Sequence, residues 1–237
     1  MSEPAVLLEN ISFSWGAHAG SFSLRLDRFE LAKGESVLLT GPSGSGKSTL
    51  LGMICGTLVP DSGNISVLGQ PFSTLSGSAR DRFRADHFGI IFQMFNLLPY
   101  LSILDNVLIP LHFSKKRKLQ AGDLAQARQT EARRILTGLG LEQIDQQKTS
   151  DLSVGQQQRV AAARAFIGAP EIIIADEPTS SLDEGRQADF MELLFAEKIR
   201  TEASLLMVSH DLRLADRFDR VINLEDICHI GKVGQTS

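Results

Sequence analysis

Nine contiguous residues, GPSGSGKST at Gly41–Thr49, constrain this chain more than any other feature. They satisfy the pattern G-x-x-x-x-G-K-[ST] in full, with Gly41, Gly46, Lys47 and Ser48 at its fixed positions. In such a loop the glycines, with Ser43 and Gly44 between them, let successive backbone N–H groups turn inward around a phosphate. Lys47 reaches the β and γ oxygens, and the Ser48 hydroxyl suits a magnesium ion. A helix opening at Lys47 and running through Thr49 adds the positive end of its dipole. The flanks agree. Ser36–Thr40 is a short apolar run that predicts a buried parallel strand, and Lys47–Leu58 predicts a helix closed by the turn signal Pro60-Asp61-Ser62-Gly63.

Two further strands end in chemistry. Ile172–Ala175 is apolar and delivers Asp176 and Glu177 at its carboxyl end, where open α/β sheets bind ligands. After a full phosphate loop, Asp176 is expected to hold magnesium, directly or through water, and Glu177 to polarise an attacking water. Ser209-His210 follows the apolar run Leu205–Val208. A lone histidine after a strand is more often structural; with the loop and the acids on the same sheet edge, His210 is expected to bond the γ-phosphate and hold the water.

Around these motifs, Val6–Trp15 and Ser21–Leu31 read as strands, the second by its alternation of Phe22, Leu24 and Leu26 with polar residues. Asn64–Leu68 and Phe88–Phe92 are further strands. From about Asn96 to Gly168 the pattern is helical, with Leu124, Ala127, Ile135, Leu136 and Leu139 marking one apolar helix face. A last helix is expected around Glu184–Arg200, before a strand at Ser204–Val208. The alternation predicts an α/β fold with a mainly parallel core sheet, an antiparallel N-terminal portion and an inserted helical subdomain. The boundaries fall at 1–94 and 169–237 for the core and 95–168 for the insertion, all within one domain.

Composition excludes several classes. Twenty-four basic against 28 acidic residues give a net charge of −4, which argues against a generic nucleic-acid binder. The one dense basic run, Lys115–Lys118, reads as a solvated loop or helix end, or else as a contact with anionic headgroups. Cys55 and Cys228 are too few for a disulfide framework. The most apolar stretch, Phe95–Phe113, carries Pro99, Asp105, Asn106 and Pro110, so it cannot cross a bilayer as an unbroken helix. Nothing at the N-terminus resembles a secretion signal.

With these residues in view, the chain resembles the nucleotide-binding subunits of ATP-binding cassette transporters along nearly its whole length. Leu152–Gln156 (LSVGQ) is similar to that family's signature, normally LSGGQ; Gln93 matches the Q-loop glutamine, Ser181-Leu182-Asp183 the D-loop and His210 the switch histidine. Trp15, before a glycine, matches the aromatic that stacks on adenine. The resemblance implies ATP and Mg2+ as ligands, with Gln93 joining Ser48 and Asp176 at the metal. It also implies a head-to-tail homodimer, in which ATP on Gly41–Thr49 of one copy is covered by Ser153, Gly155 and Gln156 of the other, with Asp183 alongside. Hydrolysis would remove the γ-phosphate and open the sandwich. Val154 departs from the pattern: if the backbone there needs φ > 0, a β-branched residue is strained, with an altered rate or affinity expected.

The segment Gln93–Leu111, with QQQRVAAARA after the signature, is similar to the ATPases of lipoprotein-release, macrolide-export and cell-division systems. That likeness implies a groove for a coupling helix from a separate transmembrane permease subunit, and a place on the cytoplasmic face of the membrane. The expected work is export or extraction of a lipid, lipoprotein, peptide or small amphiphile. The alternative is force transmission across the membrane without transport. A soluble ATPase of DNA repair or translation would carry long coiled coils or two cassettes, and neither is present. Little chain follows Glu225, so no sizeable C-terminal regulatory domain is expected.

Overall fold

The computed structural model describes residues 3–16, 18, 21–142 and 144–232. The chain divides into two compact units, residues 1–81 with 206–237, and residues 82–205. In the first unit, β1 (Val6–Ser14) and β2 (Phe22–Leu31) pair antiparallel with Phe13 opposite Leu24. The alternation in β2 buries Leu24 and Leu26 and turns Arg25 and Asp27 outward. β3 (Ser36–Thr40) is buried at all five positions, as its unbroken apolar run requires. α1 spans Lys47–Ile54, then β4 (Ser62–Val67) pairs with β1 and β5 (Gln70–Pro71) with β4. The helix expected to reach Leu58 stops early because Gly56 turns left-handed at φ 69°, and a Cβ there would lie 2.5 Å from the Phe72 ring.

α2 (Gly77–His87) was not legible in the pattern: its sequence, GSARDRFRADH, buries no residue and so shows no apolar period. The second unit continues with β6 (Phe88–Ile91), α3 (Ile103–Leu108), α4 (Pro110–Phe113), α5 (Lys115–Ala121) and α6 (Ala125–Gly138). Asn106, one of the polar residues that break the apolar stretch, is buried and staples the preceding loop. It accepts from the Leu98 N–H at 2.9 Å and donates to the Leu98 and Ser102 carbonyls. On α6, Ala132, Ile135 and Leu136 are buried, but Leu124 and Ala127 are exposed, against expectation. Leu124 is the cap before the helix, so it precedes the buried stripe.

The basic run at Lys115–Lys118 is a helix end, as expected: it forms the first turn of α5 with Lys115 and Lys118 exposed, but it is not solvated throughout. Arg117 is buried and donates to the carbonyls of Phe88, Ala165 and Ile167, and its burial lowers the guanidinium to about 10. Lys116 pairs with Glu171, which also meets His87 at 3.1 Å. Partial burial alone would raise the Glu171 carboxyl; the bonds from His87 and Lys116 outweigh it and hold it at about 2.

α7 (Val154–Phe166), β7 (Ile172–Asp176), α8 (Glu184–Thr201) and β8 (Ser204–Val208) complete this part of the chain. β6 and β7 are parallel, with Ile91 level with Ala175. On α8, Phe190, Met191 and Leu194 are buried, and Glu197 is held below the usual carboxylate range. Burial opposes that shift, but Arg200 and Arg134 outweigh it. In the first unit, β9 (Arg220–Asn223) runs parallel to β3, and α9 (Leu224–Ile227) leads into β10 (Cys228–Lys232), which pairs with β2. Neither late strand was expected. Both are short and gain their partners only from residues about 180 to 210 positions earlier. Cys55 and Cys228 are both buried and are not joined in a disulfide, and burial pushes the Cys228 thiol up to about 12.

Candidate functional site

The phosphate loop grows out of β3. Gly41, Gly44 and Gly46 have φ of 148°, 81° and 86°, values an L side chain rarely adopts. Space excludes side chains too: a Cβ on Gly41 would meet Ser45 Oγ at 2.8 Å, and one on Gly46 would meet Leu24 Cδ1 at the same distance. Gly46 caps α1 with no side-chain hydrogen bond, so no capping side chain covers the helix's first N–H groups. The Lys47 ammonium donates to its own loop, to Gly41 O at 2.7 Å and Pro42 O at 2.8 Å, which holds it over the cradle. Among the described residues, the buried Ser45 hydroxyl has no partner. Together the inward-turning loop, the poised ammonium and the orphaned hydroxyl fit a bound polyphosphate.

Ser43, Gly44 and Ser48 are exposed, while Thr49 is buried and its hydroxyl accepts from Trp15 Nε1 at 3.3 Å. Trp15 is 55% exposed and packs edge-on against Phe13. That bond ties the aromatic to the start of α1. His210 leaves the same edge as the loop: the Ser209 N–H donates to Leu39 O at 3.2 Å, one residue before β3 ends. Its neighbours are pinned, since Ser209 Oγ accepts from the Asp211 N–H and Asp211 accepts from the Arg213 N–H.

In the second unit, the register of β6 and β7 brings Gln93 and Glu177 out at one level, each two residues past a paired position. Asp176 ends β7, and Glu177 adopts φ 46°, which costs about 1–2 kcal/mol for a non-glycine residue. Two amides clamp the turn that follows. Gln158 Nε2 donates to Pro178 O at 2.7 Å, and Gln187 Nε2 donates to Thr179 Oγ1 at 3.1 Å. These positioning residues were missed by the sequence reading, although Gln158 lies in the quoted QQQR run; no local pattern links position 158 to 178.

Ser153 caps α7 in a reciprocal box: its hydroxyl accepts from the Gln156 N–H, and Gln156 Oε1 accepts from the Ser153 N–H at 3.0 Å. Val154 is the first residue of the helix and is not among the positive-φ residues, so the strain considered for it is absent. Gly155 is not required by packing; a Cβ there would meet only Leu182, at 3.8 Å. Its small size leaves the helix N-terminus open. Asp183 caps α8 by accepting from the Arg186 N–H. A cavity of about 340 Å³ lies among Ser153, Gly155, Gln156, Arg159, Leu182 and Arg186. Two guanidinium groups and a helix N-terminus suit it to an anion.

The ABC transporter family model matches residues 24–180, two thirds of the chain. The chain belongs to the ABC transporter family. It is 41% identical over 192 residues, 81% of each protein, to the uncharacterized ABC transporter ATP-binding protein YbbA of Escherichia coli K12, and equally to its Shigella flexneri counterpart. The ATP-binding cassette MJ0796, solved as a dimer in a post-hydrolysis state with ADP and phosphate, superposes with TM-score 0.83. It is 33% identical, and the match covers 98% of this chain and all of that one. CbiO1 of Clostridium perfringens, part of the transporter complex cbiONQ, superposes with TM-score 0.78 at 25% identity over 94% of this chain and 85% of that one. The fold is therefore that of an ABC ATPase, a P-loop NTPase with parallel and antiparallel strands, and the chain is the ATP-binding, ATP-hydrolysing subunit of a transporter.

Proposed function

We propose that this ABC ATPase powers the export, or the extraction from a membrane, of a lipid, lipoprotein, peptide or small amphiphile through a separate transmembrane subunit. The stretch Gln93–Leu111 carries the reading. Phe95, Ile103 and Leu104 are buried there, while Met94 and Tyr100 are 81% and 69% exposed. That leaves apolar side chains beside Gln93 for a coupling helix to cover. Among the described residues no helix is long and apolar enough to cross a membrane. The reading places the chain on the cytoplasmic face, held there by its partner.

The catalytic roles follow the family. Gly41–Thr49 holds the phosphates of ATP, with Lys47 on the β and γ oxygens, and Trp15 takes the adenine. Magnesium, held by Ser48, Asp176 and Gln93 with the phosphate oxygens, would neutralise phosphate charge. Glu177 orients and deprotonates the water that attacks the γ-phosphorus, His210 bonds the γ-phosphate, and ADP leaves with the bridging oxygen. The MJ0796 cassette is dimeric; here two copies pair head to tail, with Ser153, Gly155 and Gln156 of one copy covering the nucleotide of the other beside Asp183. Residues 1–94 and 169–237 serve as the nucleotide-binding core and 95–168 as the helical subdomain that receives the partner.

Affinity purification of the Glu177→Gln variant from detergent-solubilised native membranes with ATP tests the reading. Recovery of a multi-span subunit with a large extracytoplasmic domain is expected, and a reconstituted transport assay then separates cargo movement from force transmission. Recovery of soluble or ribosomal partners alone would remove the membrane assignment.

A further inference from the structure

Two residues after Gln93 the backbone turns through two consecutive left-handed residues, Phe95 at φ 57° and Asn96 at φ 49°. Neither is glycine, so each costs on the order of 1 kcal/mol or more, and such a pair persists only where its surroundings hold it. Arg164, on the third turn of α7, supplies the hold. Its NH1 donates to Asn96 O at 2.6 Å, and its NH2 donates to Phe95 O. Burial lowers the guanidinium, and among the described residues it faces carbonyls and no carboxylate. A half-buried charge without a counter-ion is an expensive way to fill space, and a methionine would pack there more cheaply. The other end of β6 is tied to the same helix. Arg117 donates at once to Phe88 O, the first carbonyl of β6, and to Ala165 O and Ile167 O at the end of α7.

We infer that Arg164 is a positioning residue that locks the Gln93 turn to the signature helix, so that Gln93, the exposed Met94 and the Ser153–Gln156 end of α7 move as one body. The inference rests on the proposed role of Gln93 at the nucleotide. Its consequence is mechanical. A displacement of the α7 N-terminus by nucleotide on the second copy is carried to the surface beside Gln93, and a partner pressing on Met94 moves the signature. Arg117 at the start of β6 and Arg164 at the turn beyond its end fasten both flanks of the strand to α7.

The test is a double-mutant cycle on the full chain, with Arg164→Lys and Arg164→Met measured alone and in a Gln93→Ala background. A lysine keeps the charge but cannot serve two carbonyls at once in a fixed fork. Expected for either variant is a fall in kcat of about tenfold with the KM for ATP little changed. Amide hydrogen exchange at residues 94–98 should be faster, and no further loss should appear once Gln93 is alanine. Asn96→Gly, which enters the left-handed region freely, should restore part of the lost rate to Arg164→Met. Equal losses in both backgrounds, or unchanged exchange at residues 94–98, would overturn the inference. Normal turnover of Gln93→Ala alone would overturn the role given to Gln93, and exchange would still decide whether Arg164 holds the turn. Should Arg164→Met unfold, Arg164→Lys and the exchange measurement carry the test.

Discussion

The phosphate loop and the Glu177 turn both hold backbone in conformations that ordinary residues avoid, but they do so by opposite means. The loop uses glycine at each left-handed position, so its shape is an intrinsic property of nine consecutive residues, and even Lys47 bonds to carbonyls of its own loop. The turn holds Glu177 at φ 46° and borrows its rigidity from Gln158 and Gln187, 19 and 10 positions away. A binding element can be local. A side chain at a strained position depends on its neighbours.

This contrast can be broken, and the largest test is at the acid itself. Glu177→Gln should cut ATP turnover by roughly 10²–10⁴-fold while ATP still binds, read by steady-state hydrolysis and nucleotide titration; near-normal turnover would remove Glu177 as the base. Gly46→Ala should act on binding instead. The left-handed strain of about 1–2 kcal/mol, added to the contact with Leu24, predicts ATP affinity weakened on the order of tenfold or more by equilibrium titration. Gln158→Leu should release Pro178 and lower kcat by about tenfold with ATP affinity intact. If it weakened affinity as Gly46→Ala does, the two regions would not be separable in this way. The smallest effect belongs to Val154→Gly, which restores the usual signature. Since Val154 is unstrained at the first helical position, the change should alter stability by no more than about 1 kcal/mol in a denaturant titration. A larger gain would mean that the valine is strained after all.

Legibility in the sequence followed the same division. The phosphate loop, its fully buried flanking strand and β7 were readable, because each rests on a contiguous pattern: fixed glycine spacing, or an unbroken apolar run ending in acids. The signature's Ser153–Gln156 box was readable as residues but not as a reciprocal cap. The run Lys115–Lys118 was readable as a helix end, but nothing local shows that Arg117 turns inward to backbone carbonyls. α2, with no buried face, gave no period to find.

What the sequence alone determined, then, is the chemistry: a polyphosphate cradle, a pair of acids at a strand end, and a helix N-terminus opened by Gly155. Those depend on residue type at short, fixed spacing, which a linear string preserves. The tertiary structure decided the posture of the reactive groups: Glu177 held in a left-handed turn by Gln158, the Gln93 turn fastened by Arg164, and β6 tied to α7 by Arg117. Each of those bonds joins residues roughly 20 to 70 positions apart. Closing such distances costs chain entropy that only the packed core offsets, so no local pattern can announce them.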